Sequence, residues 1–172
     1  MATVAANQYT YGVPPGHGLV GNVKAAFGKY TYSAAPLAND LANMFTLPKN
    51  CLVLWGFMAT DDIDTGTEAL EIDVGFTANG GGAATLTDST GTTWTNNNSG
   101  SASATAFIDS GVLTGDVITD LMPAGMNWRP FKGIATGPMF FSEETLVQAK
   151  ITAAANAGGT GTVYVVAFYL AL

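Results

Sequence analysis

The amino-acid sequence predicts an all-β protein, an antiparallel β-sandwich of the jelly-roll type with about eight strands and an extended N-terminal arm. Short apolar or alternating segments recur between clusters of Gly, Asn, Thr and Pro, as expected for strands joined by turns. No segment shows the sustained apolar repeat that a long amphipathic helix requires. The 172 residues suffice for one domain with its own core. We therefore predict an arm at residues 1–26 and a single sandwich at residues 27–172.

The N-terminal arm has several breakers and no sustained period, most clearly in YGVPPGHGLVGN. Its tyrosine, valine and proline content makes it too apolar for a simply disordered tail. We therefore expect it to lie along its own domain or along a neighbouring chain.

Two early segments, FGKYTYSA and CLVLWGFMA, predict strands, with at most one short turn of helix between them, before MFTLP. In CLVLWGFMA both sets of alternating residues are apolar, which indicates a strand whose two faces are both covered. The sets are Cys51, Val53, Trp55 and Phe57 on one face, and Leu52, Leu54 and Met58 on the other. Trp55 is accordingly expected in the core. Cys51, the single cysteine, is expected as a small buried hydrophobe.

The next strand, EALEIDVGF, alternates cleanly, which is typical of an antiparallel strand with one exposed face. The pattern places Leu70, Ile72, Val74 and Phe76 inward, and Glu71, Asp73 and Gly75 outward. The preceding TDDIDTGT is interpreted as a hairpin connection, in which short carboxylates hydrogen-bond neighbouring backbone N–H groups.

The remainder of the chain alternates loops and strands. Residues 77–100 are rich in Gly, Asn and Thr and predict long surface loops with short strands at the Thr runs. ATAFIDS, NWRPF and GPMFFS predict further strands, and residues 113–122 a short helix. ETLVQAKITAA and TVYVVAFYLA predict the last two strands, joined by a hairpin loop NAGGTG. The final strand is apolar on both faces and too short to span a bilayer as a helix.

Composition and charge exclude several classes of function. Charged residues make up 11% of the sequence and hydrophobic residues 48%, and the net charge is -7. Nucleic-acid binding needs clustered Lys and Arg, whereas only six are scattered here. The N-terminus lacks the basic start and apolar run of a signal peptide, so we expect no export by that route. We expect neither a nucleic-acid nor a membrane partner, and we expect any charged partner to be cationic.

The acidic stretch ATDDIDTGTEALEIDVGF contains an Asp-Thr-Gly triplet, Asp64 to Gly66, like that of aspartic proteases. A protease dyad needs two such triplets in apolar surroundings, and this loop is too polar. An EF-hand fails because Thr67 occupies the position that requires Gly and because the flanking helices are missing. A weak cation loop formed by Asp61, Asp62 and Asp64 remains a candidate, although no resident metal or cofactor is expected.

The other reactive residues form no catalytic constellation, so we do not expect an enzyme. His17, the single histidine, lies in the Gly/Pro-rich arm, and the sequence has no G-x-S-x-G elbow, which disfavours a Ser-His or Cys-His nucleophile. A single histidine and a single cysteine are too few to form a zinc site based on either residue type. Paired carboxylates for glycoside hydrolysis stay open, because nothing selects one pair. Trp94, within GTTWTNNN, is the candidate for an exposed glycan contact.

Two segments resemble a recurrent pattern in virion proteins of tailed bacteriophages. They are MFTLPKNCLVLWGFMATDDIDTGTEALEIDVGF, with its Leu-Pro-Lys turn and Asp-rich loop, and EETLVQAKITAAANAGGTGTVYVVAFYL. The resemblance is to head decoration, or cement, proteins. It implies a jelly-roll domain, commonly trimeric, that is seated on the capsid where hexamers and pentamers meet, and it carries no catalytic residues.

The resemblance implies a structural virion protein that binds the outer surface of a phage head and stabilises contacts between coat subunits. Its partners would be the major capsid protein and further copies of itself in a homotrimer. A charge-poor domain with an apolar arm also favours oligomerisation. The candidate capsid or inter-subunit contacts lie in the arm and are Tyr9, Tyr11, Val13, Pro14 and Pro15. The alternative is a carbohydrate- or receptor-binding module of a phage tail or head fibre, in which Trp94 and the Gly/Asn/Thr loops meet a host glycan.

Overall fold

The computed structural model is all-β, as the sequence predicts. It describes residues 3–5, 7–12, 23–64, 66–67, 69–79, 85–87, 93–95, 102–108, 113, 126–131, 139–157 and 159–171, and for residues 3–5, 7–12, 85–87, 93–95 and 126–130 it describes the backbone. The strands are β1 (Thr3–Ala5), β2 (Asn7–Gly12), β3 (Val23–Tyr32), β4 (Leu41–Leu47), β5 (Cys51–Asp61), β6 (Glu71–Phe76), β7 (Thr85–Thr87), β8 (Thr93–Thr95), β9 (Ser103–Ile108), β10 (Met126–Pro130), β11 (Met139–Phe141), β12 (Thr145–Ala153) and β13 (Gly161–Ala171). The described residues contain no helix long and apolar enough to cross a membrane.

Two sheets pack face to face and form a jelly roll. Sheet I has the strand order β1-β4-β12-β6-β9, and sheet II has the order β10-β5-β13-β3-β2 with β11 also paired to β5. Four strands from each sheet make up the eight-stranded roll, namely β4, β12, β6 and β9 facing β10, β5, β13 and β3. The predicted sandwich of about eight strands is therefore confirmed. β7 and β8 pair with each other in a separate small sheet.

Residues of the predicted N-terminal arm add one strand to each sheet. β1 pairs in parallel with β4, Thr3 opposite Leu41, and β2 pairs antiparallel with β3, Tyr9 opposite Phe27. β3 itself begins at Val23, earlier than the sequence pattern indicates. The two arm strands pair with the outermost strands of the eight-stranded roll on this side, which would otherwise present open hydrogen-bonding edges.

A tight turn precedes β4, and residues 33–40 form no helix, which agrees with the prediction of at most one short helical turn. Asn39 adopts a φ of 72°, a left-handed conformation that Asn tolerates. The carboxylate of Asp40 accepts a hydrogen bond from the backbone N–H of Leu37 at 2.9 Å. Ile151 of β12 accepts the N–H of Asn39 and donates its own N–H to the carbonyl of Asp40. The bonds to β12 could not be predicted, because local sequence pattern carries no information about partners distant in sequence.

Both connections predicted as hairpins cross between the sheets instead. β5 lies in sheet II and β6 in sheet I, whereas β12 lies in sheet I and β13 in sheet II. The two crossovers, residues 62–70 and 154–160, contact each other: a Cβ atom placed on Gly66 would lie 2.8 Å from the Cβ of Ala157. Turn residues mark where a chain reverses, but they do not specify which sheet the next strand joins.

A β-bulge in β5 overturns the predicted faces of that strand. Phe168 of β13 lies opposite Trp55, but the next residue of β13 lies opposite Val53, so Leu54 is the extra residue. One extra residue exchanges the two faces of the strand beyond it. Trp55 is consequently 42% exposed, and the prediction that it belongs to the core was wrong. Gly56 and Met58 take the inward positions instead.

β6 is buried on both faces, whereas the sequence pattern predicted an exposed face. Asp73 is 5% exposed and Gly75 is buried. The reason is an irregularity in β9: Val74 pairs with Ile108 but Phe76 pairs with Ser103, so a longer segment of β9 arches over Gly75. A Cβ atom on Gly75 would collide with the backbone of Ser103.

The core between the sheets contains a cluster of phenylalanine rings. The ring of Phe107 stacks on Phe131 with centroids 4.6 Å apart and lies 5.9 Å from Phe76 and 6.1 Å from Phe141. Cys51 is also fully buried, as predicted, and burial raises the pKa of its thiol to about 12. This thiol therefore stays protonated and acts as a packed apolar group.

Candidate functional site: an acidic clamp and an aromatic sheet face

The Asp64 carboxylate ties the two crossovers together, and we call this arrangement the clamp. One oxygen, Oδ2, accepts the backbone N–H groups of Ala69 at 2.8 Å, Asn156 at 3.1 Å and Leu70 at 3.3 Å. The other oxygen, Oδ1, accepts those of Ala157 at 3.1 Å and Gly66 at 3.4 Å. Asp64 is 2% exposed. A single side chain thus accepts hydrogen bonds from both crossovers, including that of the buried Leu70 N–H.

A second acidic residue, at the end of β5, binds the start of β13 close to the clamp. The carboxylate of Asp61 accepts the backbone N–H of Thr162, at the start of β13, at 2.8 Å. Close packing accompanies this bond, since a Cβ atom on Gly161 would lie 2.6 Å from Cγ1 of Ile63. Carboxylates in this loop therefore bind backbone donors of a distant segment as well as nearby ones.

The electrostatic consequence for Asp64 follows from its partners. Desolvation by burial acts to raise the pKa of this carboxyl, but the hydrogen bonds from Asn156, Ala157, Ala69 and Gly66 outweigh it and lower the pKa from 3.8 to about 2. The clamp is therefore charged at all but very acidic pH.

This arrangement bears directly on the two chemical interpretations of the acidic loop, an aspartic-protease triplet and a cation site. Asp64, the acid of the Asp-Thr-Gly triplet, faces backbone N–H groups rather than a second carboxylate. In the candidate cation loop, Asp62 is exposed while Asp61 and Asp64 accept backbone hydrogen bonds, and cation binding by these three residues stays a prediction. In the described ranges, no three His, Cys, Asp or Glu side chains are grouped to hold a metal ion.

The clamp predicts a specific dependence of stability on pH. The pKa of Asp64 is about 2 in the folded protein and near 3.8 in the unfolded chain, so the charged form is stabilised by folding. This contribution is fully present above about pH 4 and is lost as the pH falls through about 2. Urea unfolding from pH 5 to pH 2 should show the decline. In Asp64→Asn the decline should be smaller, and an equal decline in both proteins would contradict the assignment.

The outer surface of sheet II carries a group of partly exposed aromatic side chains, Trp55, Phe57, Phe27, Tyr164 and Phe168, which we call the aromatic face. Trp55 stacks on Phe168 with ring centroids 4.4 Å apart and an interplanar angle of 15°. Phe57 lies 6.2 Å from Trp55, and Phe27 lies 6.0 Å from Tyr164. The three strands β5, β13 and β3 are adjacent, so these rings share one face of sheet II.

The aromatic face is poor in charge. Lys29 is the charged side chain of this group, and its ammonium lies 5.6 Å from the centroid of the Tyr164 ring, in a cation–π contact. Along β13, from Tyr164 onward, the residues that alternate with the buried set are only partly buried, and they are Tyr164, Val166, Phe168 and Leu170. The final strand is apolar on both faces, as its sequence predicts, but only one of those faces is fully covered.

The remaining predicted site residues lie elsewhere. Tyr9 and Tyr11 belong to β2, opposite Phe27 and Ala25 of β3 in the strand register. Val13, Pro14, Pro15 and His17 lie outside the described residues, as does most of the predicted helix at 113–122. Trp94 pairs with Leu86 in the small β7–β8 sheet, so its role as a glycan contact stays a prediction.

The aromatic face could not be identified from the sequence, because the bulge in β5 changes which residues of that strand lie on the same face. Without the bulge at Leu54, Trp55 would share a face with the buried Cys51 and Val53. The one indication in the sequence was that both alternating sets of residues in β5 and β13 are largely apolar. Identifying the exposed set required the strand register.

The fold and these surfaces together define a β-sandwich of the jelly-roll class with an exposed aromatic sheet face. The sequence matches no protein-family model, and no curated protein matches it. Among solved structures, a chain of the cyanophage Pam1 capsid asymmetric unit is similar, with a TM-score of 0.58 and 21% identity over 93% of this chain and 92% of that chain. A chain of the capsid of Ralstonia phage GP4 has a TM-score of 0.54 and 17% identity over 98% and 97% of the two chains. This protein therefore shares its fold, over nearly its whole length, with chains from two phage capsids.

Proposed function

We propose that the protein is a structural component of a tailed-phage virion, a decoration or cement protein that binds the outer surface of the head. It acts as a homotrimer that contacts the major capsid protein and cross-links neighbouring coat subunits. The role requires no catalytic centre and no cofactor. The shared fold with chains of two phage capsids supports a place in the virion.

The observation that carries the proposal is the aromatic face. Trp55 remains 42% exposed although it stacks on Phe168, and an exposed row of large apolar side chains is typical of a protein interface. Aromatic residues are also enriched among the residues that dominate binding energy. A protein that works as an isolated monomer would gain nothing from keeping such a row in contact with water.

A second copy of the same chain is the occupant that charge favours on this face. Copies with a net charge of -7 repel one another wherever acidic surfaces meet. The aromatic face carries Lys29 and no described acidic side chain among its rings, so copies can approach one another there with little repulsion. The acidic end of the sandwich, with Asp61 and Asp62, is then left for a cationic coat surface.

Substitution of the aromatic face should weaken the assembly without unfolding the domain. We expect Trp55→Ser to raise the dissociation constant for association of copies about 30-fold, because a central interface tryptophan contributes about 2 kcal/mol or more. Light scattering coupled to size exclusion measures the mass as a function of concentration. Trp55→Phe is the matched control and should stay assembled, since it keeps an aromatic ring against Phe168. A wild-type protein that is monomeric at all concentrations would contradict this role of the face.

Removal of the N-terminal arm should separate head binding from folding. The truncation should span residues 2–22, so that β3 stays intact from Val23. We expect loss of binding to phage heads in co-sedimentation, a retained β-sheet circular dichroism spectrum, and a lower melting temperature because the edges of β3 and β4 lose their partners. Tyr9→Ser combined with Tyr11→Ser is the milder variant. Unimpaired head binding by the truncated protein would refute the arm as a capsid contact.

A further inference from the structure

A cavity lies beside the turn that joins β3 to β4, and it is separate from the clamp and the aromatic face. Its volume is about 150 Å³, and its walls are formed by Tyr30, Tyr32, Ser33, Ala34, Ala35, Asp40 and Leu41. Tyr30 and Tyr32 meet edge to face, with ring centroids 4.6 Å apart. The cavity therefore combines two aromatic rings, a hydroxyl-bearing residue and a carboxylate at one place.

One wall residue has an unmet hydrogen-bonding requirement. Tyr32 is 5% exposed, yet its buried hydroxyl has no hydrogen-bond partner. Burial, followed by the proximity of Tyr30 and Asp40, raises the pKa of this hydroxyl well above its usual value, so it remains a neutral donor and acceptor. Buried polar groups in native proteins are almost always paired, and an exception calls for a partner that the isolated chain does not supply.

The same cavity has an uncompensated negative charge. The carboxylate of Asp40 accepts one hydrogen bond, from the backbone N–H of Leu37 to Oδ2, and pairs with no cation of the described chain. Asp61, Asp62 and Asp64 lie at this same end of the sandwich, because β3 ends beside the start of β13, with Tyr32 opposite Gly161. No Lys or Arg occurs in the three connections at this end, residues 33–40, 62–70 and 154–160. The local field therefore favours a cation.

We propose that this cavity is a receptor for the guanidinium side chain of an arginine on a coat subunit. A guanidinium has five N–H donors and no acceptor, which suits a wall that contains the Asp40 carboxylate and the unpaired Tyr32 oxygen as acceptors. The tyrosine rings provide apolar walls for its methylene groups. The inference rests on the proposed function only for the source of the arginine, because the recognition chemistry belongs to the cavity.

The chemistry is tested on the full-length protein with small probes. N-propylguanidinium represents the arginine side chain, and N-propylurea is its neutral isostere. Amide chemical shifts in NMR spectra of residues 30–41 should saturate with N-propylguanidinium and respond at least about tenfold more weakly to N-propylurea, because hydrogen bonds to charged groups are the stronger ones. Equal responses to the two probes, or no saturable response to N-propylguanidinium, would overturn the inference.

Two variants separate recognition from folding. Asp40→Asn keeps an oxygen to accept the Leu37 N–H but removes the charge, and it should weaken N-propylguanidinium binding about tenfold. Tyr32→Phe should weaken binding while the free protein melts at the same or a higher temperature, because the lost hydroxyl had no partner. Unchanged binding by Asp40→Asn, or a lower melting temperature for Tyr32→Phe, would count against the cavity as a receptor.

Binding to phage heads then tests the source of the arginine. Asp40→Asn should bind heads more weakly than the wild-type protein does. If the wild-type protein binds heads and Asp40→Asn binds them equally well, this inference is overturned while the proposed function stands. If the wild-type protein does not bind heads, the proposed function fails, whatever the small probes show.

Discussion

Replacing Asp64 with alanine is expected to lower the free energy of unfolding by about 3 to 5 kcal/mol, because the change removes a buried, charged acceptor of several backbone hydrogen bonds. Five backbone groups converge on this carboxylate, from Gly66, Ala69 and Leu70 in one crossover and from Asn156 and Ala157 in the other. No other described side chain joins the two crossovers in this way. Chemical denaturation monitored by tryptophan fluorescence measures the loss.

The control for this experiment lies in the same loop. Asp62 is exposed and makes no described hydrogen bond, so Asp62→Ala should change the stability by no more than about 0.5 kcal/mol. EDTA should leave the wild-type unfolding midpoint unchanged, because backbone groups rather than a metal ion surround Asp64. Equal effects of the two substitutions would show that the clamp does not hold the crossovers. Destabilisation by EDTA would instead support a cation bound by Asp61, Asp62 and Asp64.

Truncation of Phe107 to alanine is expected to cost about 3 to 5 kcal/mol, the range for a large aromatic side chain removed from a packed core. Phe107 is 1% exposed and contacts three other phenylalanine rings, and its strand arches over β6, so the cavity cannot close easily. The matched control is Phe168→Ala, the same chemical change on the aromatic face. Unfolding measured at protein concentrations where the chain is dissociated should show a distinctly smaller loss for Phe168→Ala.

The comparison of these two phenylalanines also distinguishes fold from function. If the aromatic face serves association, Phe168→Ala should reduce the mass of the assembly more than it reduces the stability of the dissociated chain. If instead both substitutions lower stability equally, the aromatic face is part of the domain's own core, and its role as an interface would have to be abandoned.

Much of the fold could be predicted because strand formation is a local property. The alternation in EALEIDVGF and ETLVQAKITAA and the apolar run in TVYVVAFYLA each correspond to a strand, β6, β12 and β13. The pattern could not show which strands pair, since pairing depends on contacts distant in sequence. Both supposed hairpins therefore became crossovers, and the bond from the Asn39 turn to β12 could not be foreseen.

The candidate sites were harder to predict, because each depends on one residue out of register or on one distant contact. The extra residue at Leu54 exposes Trp55. The irregular pairing of β9 buries Gly75 and, with it, the face of β6 that seemed exposed. The acidic loop was correctly interpreted as a place where carboxylates bind backbone N–H groups. What the sequence could not show was that two of the donors to Asp64 lie beyond residue 150.

The most direct test of the account is an electron cryo-microscopy reconstruction of phage particles that contain this protein. The account predicts jelly-roll density in groups of three copies on the outside of the head, with Trp55 and Phe168 buried between copies and the Asp40 end directed at coat subunits. Density for this chain inside the shell or confined to the tail, or copies on the head whose aromatic faces remain open to solvent, would contradict it.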